Sequence, residues 1–162
     1  MEKFTQKWAI ISLLEHAREG SVFVHTDFPL HVTLAGVFSI EKTGQELVDE
    51  LKQILAKRSS VELEADEKAM FGPNKDIAVM KVKKTAGLMS LYIGIHEWLK
   101  NAGVTYNSPE YQGDGYLPHS TFQKTALLKP GEKRLLKSVS LIDLFPNNDG
   151  YQRKIFKTID LQ

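Results

Sequence analysis

Apolar and polar positions divide the chain into short hydrophobic runs, two one-sided helical stripes and the turns between them. Trp8-Ala9-Ile10-Ile11-Ser12-Leu13-Leu14 is apolar and bounded by charge, the pattern of a buried strand. Ser21–His25 and His31–Phe38 read as further strands, separated by the break at Phe28-Pro29. Thr43 followed by Glu46 forms a capping-box signature, and Leu47, Leu51, Ile54 and Leu55 then recur on one helical face, predicting a helix that ends near Arg58. Val61–Asp66 alternates apolar and acidic residues, so it reads as a strand with one wet face. Gly72-Pro73-Asn74 turns it into a hairpin partner at Ile77–Val82. A second helix is predicted from about Ala86 to Ala102, with Leu88, Leu91, Ile95, Leu99 and Ala102 on its apolar face. Gly87 and Gly94 each weaken that helix by roughly 1 kcal/mol relative to Ala.

Residues 104–117, rich in Gly, Pro, Asn and Tyr, read as a long loop of the kind that often carries function. His119–Lys124 follows as a strand and Lys129-Pro130-Gly131 as a connector. Val139–Phe145 and Tyr151–Leu161 then form a hairpin on Pro146-Asn147-Asn148-Asp149-Gly150. The order β-β-β-α-β-β-α-β-β-β predicts an α+β fold with mainly antiparallel pairing.

At 162 residues the chain suits one domain, 1–162, or two small lobes sharing a core. No apolar run reaches the ~20 residues needed to span a bilayer. Glu15-His16-Ala17-Arg18-Glu19 follows the first run in place of a small-residue cleavage site. No membrane contact and a cytoplasmic location are therefore expected. The absence of cysteine excludes disulfides, thiolate metal sites and cysteine nucleophiles. A net charge of +1 does not announce a binder of long nucleic acid, but the halves differ. Residues 1–80 hold 9 basic and 13 acidic side chains, and residues 81–162 hold 12 and 7. An anionic partner would meet the second half.

The strongest chemical signal is a repeat. Phe28-Pro29-Leu30-His31-Val32-Thr33-Leu34 resembles Tyr116-Leu117-Pro118-His119-Ser120-Thr121-Phe122, 88 residues later. Each copy has an aromatic residue, a proline just before a histidine, then His-x-Thr and an apolar residue. This is the expected look of a duplicated, pseudo-twofold protein. On a strand, residues i and i+2 share a face, so each copy presents a histidine and a threonine together. Two such strands lining one cleft suit opening of a strained phosphodiester. One neutral imidazole takes a proton from water, one imidazolium protonates the departing oxygen, and the hydroxyls bind the non-bridging oxygens. Histidine titrates near neutrality and serves either role, so both assignments of acid and base stand open.

These two motifs resemble the paired H-x-[ST]-φ signature of the 2H phosphoesterase superfamily, and within it the 2′-5′ RNA ligase or RNA 2′,3′-cyclic phosphodiesterase group. The resemblance covers nearly the whole chain. It implies two pseudo-symmetric lobes of mainly antiparallel sheet, with outer helices around a central groove. It implies catalytic roles for His31 and His119 and phosphate-binding roles for Thr33 and Thr121. Several family members carry a basic residue five places after the second histidine, where Lys124 stands here. The expected activity is metal-independent opening of 2′,3′-cyclic phosphates on RNA termini or small nucleotides, with weak reverse 2′-5′ ligation. No cofactor and no obligate protein partner are implied. The alternative is a non-catalytic binder of RNA ends or nucleotides in the same groove. The segment from about Glu15 to Leu30 is shorter than in larger relatives, which implies a smaller or more open groove.

Ring-stacking aromatics for a bound base are to be sought among Phe71, Tyr111, Tyr116 and Phe156. His25 and His31 lack a third ligand at matching spacing, which argues against a metal. His96 reads as structural. Lys81, Lys83 and Lys84 read as the wet edge of a strand, with contact to RNA phosphates as the alternative.

Overall fold

The computed structural model describes residues 6–123 and 126–162. Among the described residues, ten strands make two antiparallel sheets, accompanied by two α-helices and several single 3₁₀ turns. The strands are β1 (Trp8–Leu13), β2 (Val22–Val24), β3 (His31–Ser39), β4 (Val61–Phe71), β5 (Ile77–Val82), β6 (Thr105–Tyr106), β7 (His119–Thr121), β8 (Lys133–Leu136), β9 (Ser138–Asp143) and β10 (Gln152–Asp160). The helices are α1 (Gly44–Leu55) and α2 (Ala86–Asn101). The six-stranded sheet runs β2-β10-β9-β1-β3-β6 and the four-stranded sheet β7-β5-β4-β8. The α+β class and the two-lobed antiparallel architecture are thus as the sequence implies.

β1 is apolar apart from the buried Ser12, because both of its faces are covered. Trp8 and Ile10 enter the main core, while Ala9 and Ile11 enter a smaller cluster with Ile142, Leu144 and Ile155. The main core joins Val32, Leu34 and Phe38 of β3, Leu47, Leu51 and Leu55 of α1, Leu63 of β4, and Leu88, Leu91, Ile95 and Leu99 of α2. Burying an aliphatic side chain contributes about 1.5–3 kcal/mol, so this core anchors both sheets on both helices.

α1 begins as its capping box dictates. The Thr43 hydroxyl accepts from the Glu46 N–H at 3.1 Å, and the Glu46 carboxylate accepts from the Thr43 N–H at 3.3 Å. Thr85 caps α2 in the same way, accepting from Leu88 N–H at 3.3 Å. The Arg58 guanidinium lies over Gly94, and its Nη1 donates to Ser90 Oγ at 3.2 Å.

Several elements differ from the expected ones, among them β6, which forms inside the expected loop 104–117 by pairing with Phe38 and Ser39 of β3. α1 stops at Leu55. β4 continues through Phe71, because β5 pairs with it from Ala65 to the turn across a bulge between Ala65 and Lys68. β7 ends at Thr121, short of the expected strand to Lys124. Lys133–Leu136 forms an unforeseen strand that pairs with Val61–Glu64. It is a four-residue edge strand whose Leu135 is half exposed, so its alternation carries little signal. Among the described residues no helix is long and apolar enough to cross a membrane.

Candidate functional site

β3 lies beside β1 in the first sheet, with Leu13 opposite His31 and Ile11 opposite Thr33. β7 lies beside β5 in the second, with Lys81 opposite His119 and Val79 opposite Thr121. The two motif strands belong to different sheets, yet their backbones approach within 8 Å, Cα to Cα. His31, Thr33, His119 and Thr121 are partly exposed along them, whereas Val32 and Ser120 are fully buried. The His-x-Thr alternation therefore divides as pleat geometry requires, with the middle position inward and the imidazole and hydroxyl together on the open face.

The two imidazoles are held by the same device. His31 Nδ1 bonds the Pro29 carbonyl at 2.7 Å, and His119 Nδ1 bonds the Leu117 carbonyl at 2.7 Å. A carbonyl oxygen only accepts, so Nδ1 carries the hydrogen in both rings. Nε2 is left as the titrating nitrogen, and it has no hydrogen-bond partner among the described residues. The preceding backbone is tied down in turn. Leu14 N–H donates to the Leu30 carbonyl at 2.8 Å, and Leu30 N–H donates to the Glu15 carboxylate. Val82 N–H donates to the Pro118 carbonyl at 3.0 Å.

Each imidazole also meets an aromatic ring. Phe28 lies 4.2 Å from His31, and Phe71 packs edge-on at 4.8 Å from His119. The repeat aligns Phe28 with Tyr116, but the fold assigns these residues different places. Phe71, arriving from the end of β4, occupies the position at His119 that Phe28 holds at His31. Tyr116 turns inward, stacks on Tyr92 at 3.7 Å, and donates from its hydroxyl to the Thr33 carbonyl at 2.7 Å. It thereby ties the second motif to the first. Burial holds its phenol well above the ordinary range, so it remains a donor. Phe156 packs on Trp8, and Tyr111 is exposed.

Burial pushes His31 below the ordinary histidine value of 6.5, its bond to Pro29 offsets part of this, and the nearby charge of His119 lowers it further. Burial likewise lowers His119, offset by the bond to Leu117. The rings sense each other, so a proton on one disfavours a proton on the other. Both shifts favour the neutral imidazoles, the form in which Nε2 can accept a proton.

A cavity of about 290 Å³ is lined by Glu15, His16, Asp27, Phe28, Pro29 and Gln123 among others, with neither histidine of the pair in its wall. It touches the support of His31 on one side and the residue two places beyond Thr121 on the other. Lys124 lies outside the described residues. His25 faces Tyr151, and His96 stacks between Tyr92 and Tyr106 with Nδ1 3.3 Å from the Tyr106 hydroxyl. Among the described residues no three histidine or carboxylate side chains gather as a metal cluster. Glu15 and the contact between Phe28 and His31 escape a reading of the sequence. Their signal is proximity in the chain to His31, which is the same for loop residues that touch nothing.

A family model described as the 2′-5′ RNA ligase superfamily matches residues 5–146. No curated protein matches the sequence. Among solved structures, one described as a phosphoesterase superposes with a TM-score of 0.59 at 16% identity, covering 98% of this chain and 99% of its own. Escherichia coli LigT complexed with 3′-AMP gives 0.59 at 15% identity over 97% and 98% of the two chains. TT0787 of Thermus thermophilus gives 0.59 at 14% over 96% and 97%. At such identities these likenesses establish the shared fold.

Proposed function

Because the chain belongs to the 2′-5′ RNA ligase superfamily of 2H phosphoesterases, we propose that it hydrolyses 2′,3′-cyclic phosphates of RNA ends or small nucleotides by two-histidine acid–base catalysis. The observation that carries this reading is the matched pair of imidazoles. Both are anchored through Nδ1 to the carbonyl two residues back, both are lowered by burial, and they interact electrostatically. The likeness to LigT, solved with 3′-AMP, supports a nucleotide as the ligand class.

In the proposed reaction the phosphate lies between the two rings. The neutral imidazole accepts a proton at Nε2 from a water that attacks phosphorus. One ring P–O bond breaks, and the protonated imidazole gives its Nε2 proton to the departing ribose oxygen. The pair regains its starting state by exchanging one proton with solvent. Thr33 and Thr121 donate to the non-bridging oxygens as charge accumulates there. Lys124 belongs to the same proposal as a further phosphate contact. The ring strain of the cyclic phosphate lowers the barrier, and slow attack by an RNA 5′-hydroxyl in place of water, with the 3′-oxygen leaving and taking up the proton, forms a 2′-5′ bond.

The test is hydrolysis of a 2′,3′-cyclic nucleotide in EDTA. His31→Ala and His119→Ala should each lower kcat by about 10²–10⁴-fold. A fully active double variant ends the proposal. Tight binding of nucleotide without turnover by the native chain would establish the non-catalytic alternative instead.

A further inference from the structure

By sequence Lys81 is one of three lysines at a wet strand end, but its register gives it a different standing. It lies directly opposite His119 in the antiparallel pairing of β5 with β7. Directly opposed residues project from the same face, with Cβ atoms about 5 Å apart. Lys81 therefore shares the open face of His119 and Thr121. Its counterpart in the first sheet, opposite His31, is Leu13. A cation thus stands on one side of the pseudo-twofold only, in the half of the chain that carries the excess of basic residues.

The strand order gives the direction. β7 is the edge of its sheet and faces β3, while β5 lies on its far side. Across the motif strands the order is His31, His119, Lys81, with β3 within 8 Å of β7, Cα to Cα, and β5 one strand spacing of about 4.8 Å beyond it. The ammonium is drawn further outward: Lys81 Nζ lies 3.6 Å from Glu67 Oε1, in the β4 bulge opposite it. Both side chains of that ion pair are substantially exposed, at 40% and 70%, so solvent screens it and an anionic ligand displaces it readily. The bulge holds Glu67 where it draws the flexible lysine away from the histidine pair, towards the outer end of the groove.

We propose that Lys81 binds a second phosphate, one nucleotide beyond the scissile group, and so selects oligonucleotide ends over free cyclic nucleotides. This rests on the phosphodiesterase reading above and extends it to substrate class. The side chain that reaches past His119 meets the phosphodiester linking the terminal nucleotide to the rest of the strand. A mononucleoside cyclic phosphate has no group there.

The experiment compares the native chain with Lys81→Met and Lys81→Arg on two substrates, cytidine 2′,3′-cyclic phosphate and a tetraribonucleotide ending in the same group. In Lys81→Met the ratio of kcat/KM for the tetranucleotide to that for the mononucleotide should fall about tenfold, the effect of one charge-assisted contact. Lys81→Arg should restore most of it. In parallel, fluorescence anisotropy measures binding of a tetraribonucleotide ending in a 3′-phosphate. The slope of log affinity against log salt should weaken by about 0.7 in Lys81→Met, one phosphate contact on a single strand. A ratio and a salt slope both unchanged in Lys81→Met overturn the assignment. Equal loss on both substrates also overturns it, placing Lys81 at the scissile phosphate. Should the native chain turn over neither substrate, the phosphodiesterase reading fails, while the anisotropy comparison still decides whether Lys81 holds the second phosphate.

Discussion

Among the described residues, Tyr116→Phe isolates the one direct hydrogen bond between the two motifs. The hydroxyl donates to the Thr33 carbonyl at 2.7 Å from a ring that is only 5% exposed. Phenylalanine keeps the ring stacked on Tyr92 and removes the donor alone. A buried neutral hydrogen bond contributes about 1 kcal/mol net. For 162 residues the unfolding entropy is about 0.34 kcal/mol/K, so the melting temperature should fall by about 3 °C. The effect on turnover should be larger in proportion, because Thr33 sits two residues from His31 on the strand the bond holds against the second motif. Misplacement of a catalytic group by about 1 Å costs up to ~100-fold, and partial loosening should lower kcat about tenfold with KM changed less than twofold. Differential scanning calorimetry reads the first quantity, and steady-state hydrolysis of a cyclic nucleotide at 25 °C reads the second. A variant that melts with the native chain and turns over at the native rate refutes the idea that Tyr116 couples the two histidine strands.

Gly115→Ala places a Cβ into the Glu110 carbonyl oxygen and should destabilise by about 1–3 kcal/mol, seen as a melting temperature lower by roughly 3–9 °C. Thr43→Ala removes one arm of the capping box and should lower the melting temperature by about 3 °C with kcat unaltered, as thermal melts and rate measurements will show. Ser120 holds a fully buried hydroxyl without a hydrogen-bond partner among the described residues, so Ser120→Ala should raise the melting temperature by about 1–3 °C. His31 and His119 lie below the ordinary value of 6.5 when folded, so the unfolded chain binds the extra protons first. Stability should fall as pH drops below about 6.5 towards the folded values, and urea titrations of His31→Ala and His119→Ala should show a shallower acid decline. The same shifts place the acid limb of kcat/KM below pH 6.5 in the native chain.

Local chemistry made much of this protein legible in its sequence. The capping box at Thr43, the one-sided stripes of both helices, the turn at Gly72 and the largely apolar run of β1 each depend on residues a few positions apart, and each formed close to where it was expected. The histidine and threonine pairs were legible for the same reason, since a strand's period of two places them on one face whatever the strand packs against. Other features depended on residues far apart in the chain. The bulged extension of β4 through Asp66, Glu67 and Lys68 exists because β5 holds it, and the edge strand at Lys133–Leu136 exists because Val61–Glu64 offers it a ladder. Tyr116 and Phe28 occupy equivalent places in the repeat, yet one ring turns inward to reach β3 and the other packs on a histidine. Lys81 became a neighbour of His119 only through the register of two strands 38 positions apart. Periodicity assigns a side chain to a face, but which residue stands across from it is decided by the packing of the whole chain. That is why the sequence by itself determined the motif, and the tertiary structure decided its surroundings.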